Sequence, residues 1–321
     1  MTHVYSAPVF GSIYRQQLRD LVERPDYIVT VRGRPTRELL NVVTEITNPR
    51  ARCQIVPGRR LNPWLALSES LWLLAGRNDV AALDPYNKNI HRFSDDGKIL
   101  YGAYGYRIKD QIEPMLARLR REDTDRRAVL QIWNAHDLIA QTKDAPCNQQ
   151  VMFKLRGGNL HMLVTCRSND LHWGLAAVNT FQFGILQEYI AARLGVGMGT
   201  QTHFSQSLHI YTDAEAQKIT DRMMAVMEEP FEELPPDEWL FPNPFPKEMD
   251  HSDMARLCSD ILDGLRVPIY LDSPFFKFAG DFLCCYRKEV ALQPRYSNLF
   301  QGWMKMVEAF YEQKIPANRP P

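Results

Sequence analysis

The residues of this chain that could do chemistry lie mostly in its middle section. Cys147 follows a proline in a polar segment and precedes a predicted strand, which is the setting of an accessible thiol. Arg167 and Ser168 come next and carry groups that suit an anion. Further hydrogen-bonding side chains follow at Asn179, His209 and Tyr211. A nucleophile beside anion-binding groups predicts covalent attack on a negatively charged substrate.

Composition limits the kinds of partner that the chain can have. The 321 residues are 45% hydrophobic and no linker divides them, so we expect one domain over residues 1–321. Lys+Arg and Asp+Glu number 38 each, so the positive field needed for DNA is missing. The sequence has no signal-like start and no stretch long enough to span a bilayer. We expect a cytoplasmic protein that binds neither DNA nor membrane.

Six cysteines occur without C-x-x-C pairs or a second group at zinc spacing, so neither a metal site nor a disulfide framework is expected. Most such thiols are small buried hydrophobic groups. Cys147 is the exception because its neighbours are polar. The Pro-rich segment 234–246 contains aromatic residues and predicts an ordered crossing of the surface.

Alternating β-branched residues and helical periodicity predict an α+β fold with a mixed sheet. Strands are expected at Tyr27–Val31, Asn41–Thr47, Ala128–Trp133, Gln150–Leu155 and Asn159–Cys166, with a basic turn over Arg32–Arg37 and a hairpin at Gly157 and Gly158. Helices are expected from Pro63 to Trp72, closed by Gly76, and over Phe181–Leu194, Ala214–Met227 and Ser252–Leu265. The Phe181–Leu194 helix carries little charge and should be central and buried.

Glu69 lies inside the otherwise apolar helix that begins at Pro63. A buried carboxylate without a partner is costly. Glu69 is therefore either a functional group or an ordinary glutamate that faces solvent or forms a salt bridge.

In order along the chain, these residues resemble the thymidylate synthase family, including its pyrimidine hydroxymethylase branch. The resemblance covers about two thirds of the sequence, and within the branch it is strongest to cytidylate hydroxymethylases of antibiotic biosynthesis. It runs through Glu69 to Gly76, Arg126, Arg127, Trp133, Asn134, Pro146, Cys147, Arg167, Ser168, Asp170, Asn179, His209 and Tyr211. It implies a thymidylate synthase-like homodimer that uses 5,10-methylenetetrahydrofolate as co-substrate, with no metal.

The resemblance also implies a role for each matching residue. Cys147 would add to C6 of the pyrimidine so that C5 can attack a one-carbon unit, with its thiolate favoured by nearby guanidinium groups. Glu69 would organise water and move protons. The phosphate would be held by Arg167, Ser168, an early arginine (Arg32 rather than Arg37) and, from the partner subunit, Arg126 and Arg127. The remaining matches are His209 and Tyr211 for the sugar 3′-hydroxyl, Asp170 for the pterin, and Tyr101 or Tyr104 as the active-site tyrosine.

Asn179 would face the base edge but does not by itself distinguish uracil from cytosine, because an amide both donates and accepts. Several departures from the ordinary synthases favour water capture over hydride transfer. Asn148 replaces a histidine beside the nucleophile, no tryptophan occurs between Trp72 and Trp133, and the chain ends in Pro320 and Pro321. One extra residue precedes Asn179, where Ala176 and Ala177 leave room for a ribose 2′-hydroxyl.

The leading hypothesis is therefore 5-hydroxymethylation of CMP, or of dCMP, with CMP preferred. The first alternative is an ordinary dUMP methylase. An alternative of another class is a non-catalytic nucleotide- or RNA-binding relative, against which the intact Cys147, Glu69 and Asp170 argue. A cysteine hydrolase that pairs Cys147 with His161 or His209 would not need the two adjacent arginines.

Overall fold

A computed structural model describes residues 2–52, 56, 58–229, 245–265, 267, 273–288 and 301–312. The strands are β1 (His3–Ala7), β2 (Tyr27–Val31), β3 (Arg34–Ile46), β4 (Val129–Gln131), β5 (Asn148–Arg156), β6 (Asn159–Cys166), β7 (Asn169–Asp170) and β8 (Gly197–Tyr211). The helices are α1 (Phe10–Glu23), α2 (Pro63–Leu74), α3 (Tyr104–Ile108), α4 (Ile112–Arg121), α5 (Thr180–Leu194), α6 (Ala214–Ala225), α7 (His251–Leu262), α8 (Pro274–Arg287) and α9 (Gln301–Glu312), and a π-helix spans Leu171–Asn179. Most of the Pro-rich segment lies outside the described residues, so its surface crossing stays a prediction.

The strands form one sheet in the order β1-β3-β8-β6-β5-β4, with β2 paired to β3 and β7 paired to β8. The long strand β8 lies at the centre, antiparallel to β3 and parallel to β6. The predicted mixed sheet is confirmed. Because β5, β6 and β8 are neighbours, residues at their adjoining ends come together although they are far apart in sequence.

Helices cover one face of this sheet, and α5 is the central one. All its residues from Thr180 to Arg193 are buried. The helix ends at Gly195, whose φ of +70° suits glycine. The apolar run that begins at Pro63 forms α2, whose first turn is capped by the Asn62 side chain, which accepts from Leu65 N at 3.0 Å. Among the described residues, no helix is long and apolar enough to cross a bilayer.

The basic turn is shorter than expected. Arg32 and Gly33 form a two-residue hairpin loop with φ values of +50° and +78°, and the expected turn residues from Arg34 onward pair in β3 instead. A two-residue loop with positive φ matches the twist of an antiparallel pair. The sequence reasoning also missed β1, α1 and the π-helix.

The sheet face away from the helices keeps a row of half-buried apolar side chains. Val43 pairs with Phe204 across β3 and β8, and Met152 pairs with Leu163 across β5 and β6. Such a face is suited to contact with another surface.

Candidate active site

Cys147 lies immediately before β5, and Arg167 fixes its position from the turn after β6. The Arg167 backbone N–H donates to the Cys147 carbonyl at 2.9 Å. Its guanidinium donates to the carbonyls of Pro146 at 3.0 Å and Ala145 at 2.9 Å. Nη2 also lies 3.9 Å from the Cys147 Sγ. One arginine thus holds the chain on both sides of the thiol and places a positive charge beside it. Ser168 follows in the same turn.

Burial raises the pKa of the Cys147 thiol, and the Arg167 and Arg32 charges only partly oppose that effect. The expectation that guanidinium groups favour the thiolate holds for the direction of their effect, although the net pKa of the thiol is raised. Burial disfavours the charged form more than these two arginines stabilise it. Hydrogen-bond donors from a substrate or a second subunit would have to supply the remaining stabilisation of the thiolate.

The choice between the two early arginines favours Arg32. Its charge lowers the pKa of both Cys147 and Tyr211, which places it at the site. Arg37 instead donates to the Val22 carbonyl. Arg34, which the sequence reasoning did not nominate, stacks over the Tyr211 ring at 3.5 Å and pairs with Asp213.

His209 and Tyr211 are alternate residues of β8 and therefore face the same side. Their ring centroids are 5.1 Å apart. His209 is buried, and its Nδ1 has no hydrogen-bond partner in the part of the chain described. Burial lowers its pKa, so the ring is neutral and offers one donor and one acceptor.

Asn148 is fully buried beside the thiol, and neither its amide oxygen nor its nitrogen has a hydrogen-bond partner among the described residues. Tyr104 lies close to it, since the Asn148 amide lowers the raised pKa of that phenol. Tyr104 stacks on Phe183 with centroids 5.8 Å apart. Tyr101 is more exposed and packs against Arg107. The structure thus brings Tyr104 to Cys147, and Tyr101 lies farther out.

Glu69 occupies a half-buried position on α2 with no salt-bridge partner among the described residues. The flanking hydroxyls of Ser68 and Ser70 donate to helix carbonyls rather than to it. Burial, and then the charge of Asp144, raise its pKa to about 8. Glu69 is therefore a protonated acid at neutral pH, which fits a proton-transfer role better than a surface salt bridge.

Asn179 ends the π-helix and is held by other buried amides. Gln182 Nε2 donates to its Oδ1 at 3.0 Å, and its Nδ2 donates to Asn169 Oδ1 at 3.3 Å. Asn169 in turn donates to Ser205 Oγ at 3.0 Å. The chain Gln182–Asn179–Asn169 orients the amide that the resemblance places at the base. The sequence offered a signal, because Gln182 follows Asn179 by three positions on a helix, where side chains are neighbours.

A π-helix spans Leu171–Asn179, the segment in which the resemblance places an extra residue. Ala176 lies within this helix, is 3% exposed, and packs in the apolar cluster that includes Tyr14 and Leu39. Its contact with a sugar stays a prediction.

Asp170 caps the start of the π-helix. Its Oδ1 accepts from the backbone N–H groups of His172 at 2.8 Å and Trp173 at 3.2 Å. Burial raises its pKa despite these bonds and the nearby His209. The carboxylate keeps Oδ2 for a ligand, and the Trp173 indole beside it is 51% exposed. A hydrogen-bonding carboxylate next to an open aromatic face fits a pterin.

Arg126 and Arg127 lie far from the Cys147 of their own chain. The β4–β5 register pairs Val129 with Met152, which places Arg127 opposite Lys154. Lys154 is seven residues beyond Cys147, or about 23 Å along a strand. Both arginines are exposed, and Arg127 pairs with Asp125 at 2.9 Å. The structure does not bring them to the site of their own subunit.

Residues 12–235 match the family model described as Thymidylate synthase. A deoxyuridylate hydroxymethyltransferase of Bacillus phage SP01 is 36% identical over 270 residues, which are 75% of this chain and 69% of that protein. Another, of Pseudomonas phage M6, is 40% identical over 179 residues, which are 54% of this chain and 51% of that one. The chain belongs to the thymidylate synthase family.

The solved thermostable thymidylate synthase A from Bacillus subtilis has the same fold, with a TM-score of 0.55 at 22% identity over 67% of this chain and 84% of that one. The expected thymidylate synthase-like α+β fold is confirmed. These relatives are named for deoxyuridylate or thymidylate, so the narrower expectations of cytidylate and of antibiotic biosynthesis gain no support from them.

Proposed function

We propose that the chain transfers a one-carbon unit to C5 of a pyrimidine nucleoside monophosphate and releases the 5-hydroxymethyl product. One observation carries the proposal: a cysteine held beside an arginine and near Asp144, with the raised-pKa carboxyl of Glu69 also near Asp144, in a chain whose relatives include hydroxymethyltransferases. A non-catalytic nucleotide- or RNA-binding relative would not need two raised-pKa carboxyls close to one another and to a thiol-bearing segment.

The residues act in a defined order. Cys147 adds to C6 of the base, which turns C5 into a nucleophile. Arg167, Ser168 and Arg32 hold the phosphate, and their charge helps to ionise the thiol once substrate is bound. His209 and Tyr211 bind the sugar hydroxyl, and Asn179 binds the base edge. Glu69 moves protons around the base.

The co-substrate 5,10-methylenetetrahydrofolate would supply the one-carbon unit as an electrophile. Asp170 would hold the pterin through its free Oδ2, and the exposed Trp173 would offer an aromatic face. That indole lies at a different place in the chain from the tryptophans of the ordinary synthases.

We prefer hydroxymethylation over methylation because the site is polar. Methylation requires hydride transfer, which needs a site from which water is excluded. Asn148 leaves a buried donor and acceptor beside the thiol without partners among the residues that the structure describes. Such groups hold a water molecule well. Glu69 adds a proton donor that can take part in the addition of water to the methylene.

The first candidate substrate is CMP, and dUMP is the second. Asn179 can read either base, since its amide reverses donor and acceptor when it is turned over. The small Ala176 supports a ribose, whereas the names of the relatives support deoxyuridylate. Both substrates use the same nucleophile and the same phosphate site.

We also propose a homodimer in which Arg126 and Arg127 reach the phosphate of the partner subunit. Their distance from the Cys147 of their own chain supports donation across an interface. The half-buried apolar row that includes Phe204 and Leu163 would supply the contact surface.

The decisive experiment incubates the protein with methylenetetrahydrofolate and each of CMP, dCMP, UMP and dUMP, and weighs the products by mass spectrometry. We expect addition of CH₂O, with tetrahydrofolate as the other product. Addition of CH₂ with dihydrofolate formation would instead identify a methylase. No product with any nucleotide would overturn the enzymatic proposal.

A further inference from the structure

Asp144 lies three residues before Cys147 and is held against the turn that leads into α3. The Gly102 backbone N–H donates to Asp144 Oδ2 at 2.7 Å. A Cβ on Gly102 would collide with the Asp144 carbonyl oxygen, so glycine is what permits this approach. On the other side, Arg167 holds the carbonyls of Ala145 and Pro146. The position of the Asp144 carboxylate is thus determined from both directions.

A second glycine brings Glu69 into the same place. A Cβ on Gly105 would collide with the backbone of Leu73, so α3 lies directly against α2. Leu73 follows Glu69 by four residues and therefore shares its helix face. Tyr104, between the two glycines, completes the group. Gly102 and Gly105 together bring Asp144, Tyr104 and Glu69 into one group, and Asp144 and Tyr104 of this group also interact with the Cys147 thiol.

Two features of this group call for a bound water or substrate. Both amide atoms of the fully buried Asn148 lack partners in the described part of the chain. Asp144 is half-buried, and its one hydrogen bond in that part of the chain falls on Oδ2, which leaves Oδ1 free. Tyr104 interacts with both Asn148 and Asp144, so a buried amide and a free carboxylate oxygen lie around the same phenol, where an ordered water would find polar partners.

We propose that Asp144 is a catalytic residue, the general base that activates the water captured at the exocyclic methylene of the pyrimidine. This inference rests on the proposed hydroxymethyltransferase function and assigns its last chemical step. A methylase would have no use for such a base, because hydride rather than water reaches the methylene.

The step balances as follows. The water oxygen bonds to the exocyclic methylene carbon while one water proton passes to Asp144. The electron pair of the exocyclic C=C bond moves onto the C4–C5 enolate of the ring. That pair then forms the C5=C6 bond and expels the Cys147 sulfur from C6 as a thiolate. The proton on Asp144 returns to bulk water or to the thiolate, and nothing is oxidised or reduced.

The electrostatics suit this division of labour. Burial raises the pKa of Asp144 to about 6, partly opposed by the Gly102 N–H, whereas the pKa of Glu69 is about 8. At neutral pH Asp144 is therefore an ionised base and Glu69 a protonated acid, as in other sites where two carboxyls divide these roles. The charged and titratable groups around Asp144 are Glu69 on α2, Arg107 and Tyr104 on α3, Asp95 in the preceding loop, and Cys147.

Asp144→Asn tests the proposal because the amide oxygen can keep the Gly102 hydrogen bond while the charge is lost. Release of tritium from C5 needs Cys147 and one-carbon transfer but no attacking water. In a single turnover with enzyme in excess, we expect tritium release within a few-fold of wild type and a fall of about 100-fold in the rate of hydroxymethyl product formation, the scale of a lost general base. A thiol such as 2-mercaptoethanol, ionised without help, should capture the methylene and give the 5-thioether in this variant.

The matched control is Asp95→Asn. Asp95 anchors the same loop by accepting from Thr142 Oγ1 at 2.6 Å and Lys143 N at 2.9 Å, but it is outside the reacting group. Its product rate should stay within about twofold of wild type, the size of a surface hydrogen-bond effect. In wild type, log kcat should rise with pH until about 6 as Asp144 ionises, and Asp144→Asn should lose that acidic limb.

Wild-type product formation by Asp144→Asn, or equal loss of tritium release and product, would overturn the role of Asp144. Failure of the underlying function is distinguishable, because wild type itself would then yield no hydroxymethyl product.

Discussion

Two buried polar groups of the molecule, one around His172 and one around Cys147, differ in how completely their hydrogen bonds are made. In the His172 group, Nδ1 is 2.6 Å from the Tyr14 hydroxyl and Nε2 is 3.0 Å from Thr220 Oγ1. Arg59 donates to the His172 carbonyl at 2.6 Å. Burial lowers the pKa of His172 to about 3, so the ring is neutral. A hydroxyl group can both donate and accept, so the two hydroxyl partners can hydrogen-bond to either tautomer of the ring. Both ring nitrogens of His172 thus have partners within the chain.

In the Cys147 group, fewer hydrogen bonds are made. Asn148 and His209 Nδ1 are buried without partners among the described residues. Glu69, Asp144 and Cys147 all have raised pKa values, with burial as the largest cause. Native proteins satisfy most buried polar groups. We infer from the contrast that the His172 group supports the fold, whereas the Cys147 group receives its remaining partners from substrate and water.

The largest expected effect is from Cys147→Ala, which should abolish both product formation and tritium release from C5. Covalent addition at C6 is the step on which every later one depends. Nucleotide binding, measured by calorimetry, should survive. Tritium release by this variant would show that Cys147 is not the nucleophile.

Arg126→Ala should inactivate the site of the partner subunit and leave the variant's own Cys147 intact. Mixing Arg126→Ala with Cys147→Ala subunits should restore up to about a quarter of normal activity by random assembly. The readout is product formation after subunit exchange has been confirmed. No recovery in exchanged dimers would contradict donation across the interface.

The comparison between the two polar groups is sharpened by Tyr14→Phe and Asn148→Leu. Tyr14→Phe leaves a His172 nitrogen without its partner and should lower the free energy of unfolding by about 1–3 kcal/mol, with kcat little changed. Asn148→Leu removes groups that have no hydrogen-bond partner in the described part of the chain and should leave stability equal or higher while kcat falls. Denaturant unfolding and steady-state kinetics on both variants check this, and the reverse pattern would break the comparison.

Gln182→Leu removes the donor to Asn179 Oδ1 and frees that amide to turn over. We expect the ratio of kcat/KM between cytosine and uracil nucleotides to shift by about tenfold, the scale of one hydrogen bond to a buried group. Thermal unfolding is the control for a general loss of structure. An unchanged ratio would mean that the amide chain does not control base choice.

The smallest and least direct effect is expected from Ala176→Ser or Ala176→Val. A larger side chain would crowd a ribose 2′-hydroxyl and shift kcat/KM toward dCMP by several-fold. Competition between CMP and dCMP in one reaction measures it. A constant ratio would assign Ala176 to packing, as its place among apolar residues also allows.

Several parts of the site could be predicted because their signals are local. Cys147 follows a proline in a polar segment, and Glu69 interrupts an apolar helix. Both are visible in a few neighbouring residues. The helix that begins at Pro63 and the hairpin at Gly157 likewise depend on local propensity and turn geometry. Asp144 carried no such signal, because an aspartate in a polar segment is ordinary until its neighbours in space are known.

By itself the sequence determined the family and the α+β class, since residue order and periodicity encode them, and it predicted Cys147 as the nucleophile. Only the tertiary structure decided that Tyr104 rather than Tyr101 lies beside Asn148, and that Arg126 and Arg127 are too far away to serve their own subunit. It also decided that the carboxyls of Glu69 and Asp144 lie close enough to interact. Burial and electrostatic coupling arise from contacts between distant segments, so the raised pKa values of Glu69 and Asp144 have no counterpart in the linear order of residues.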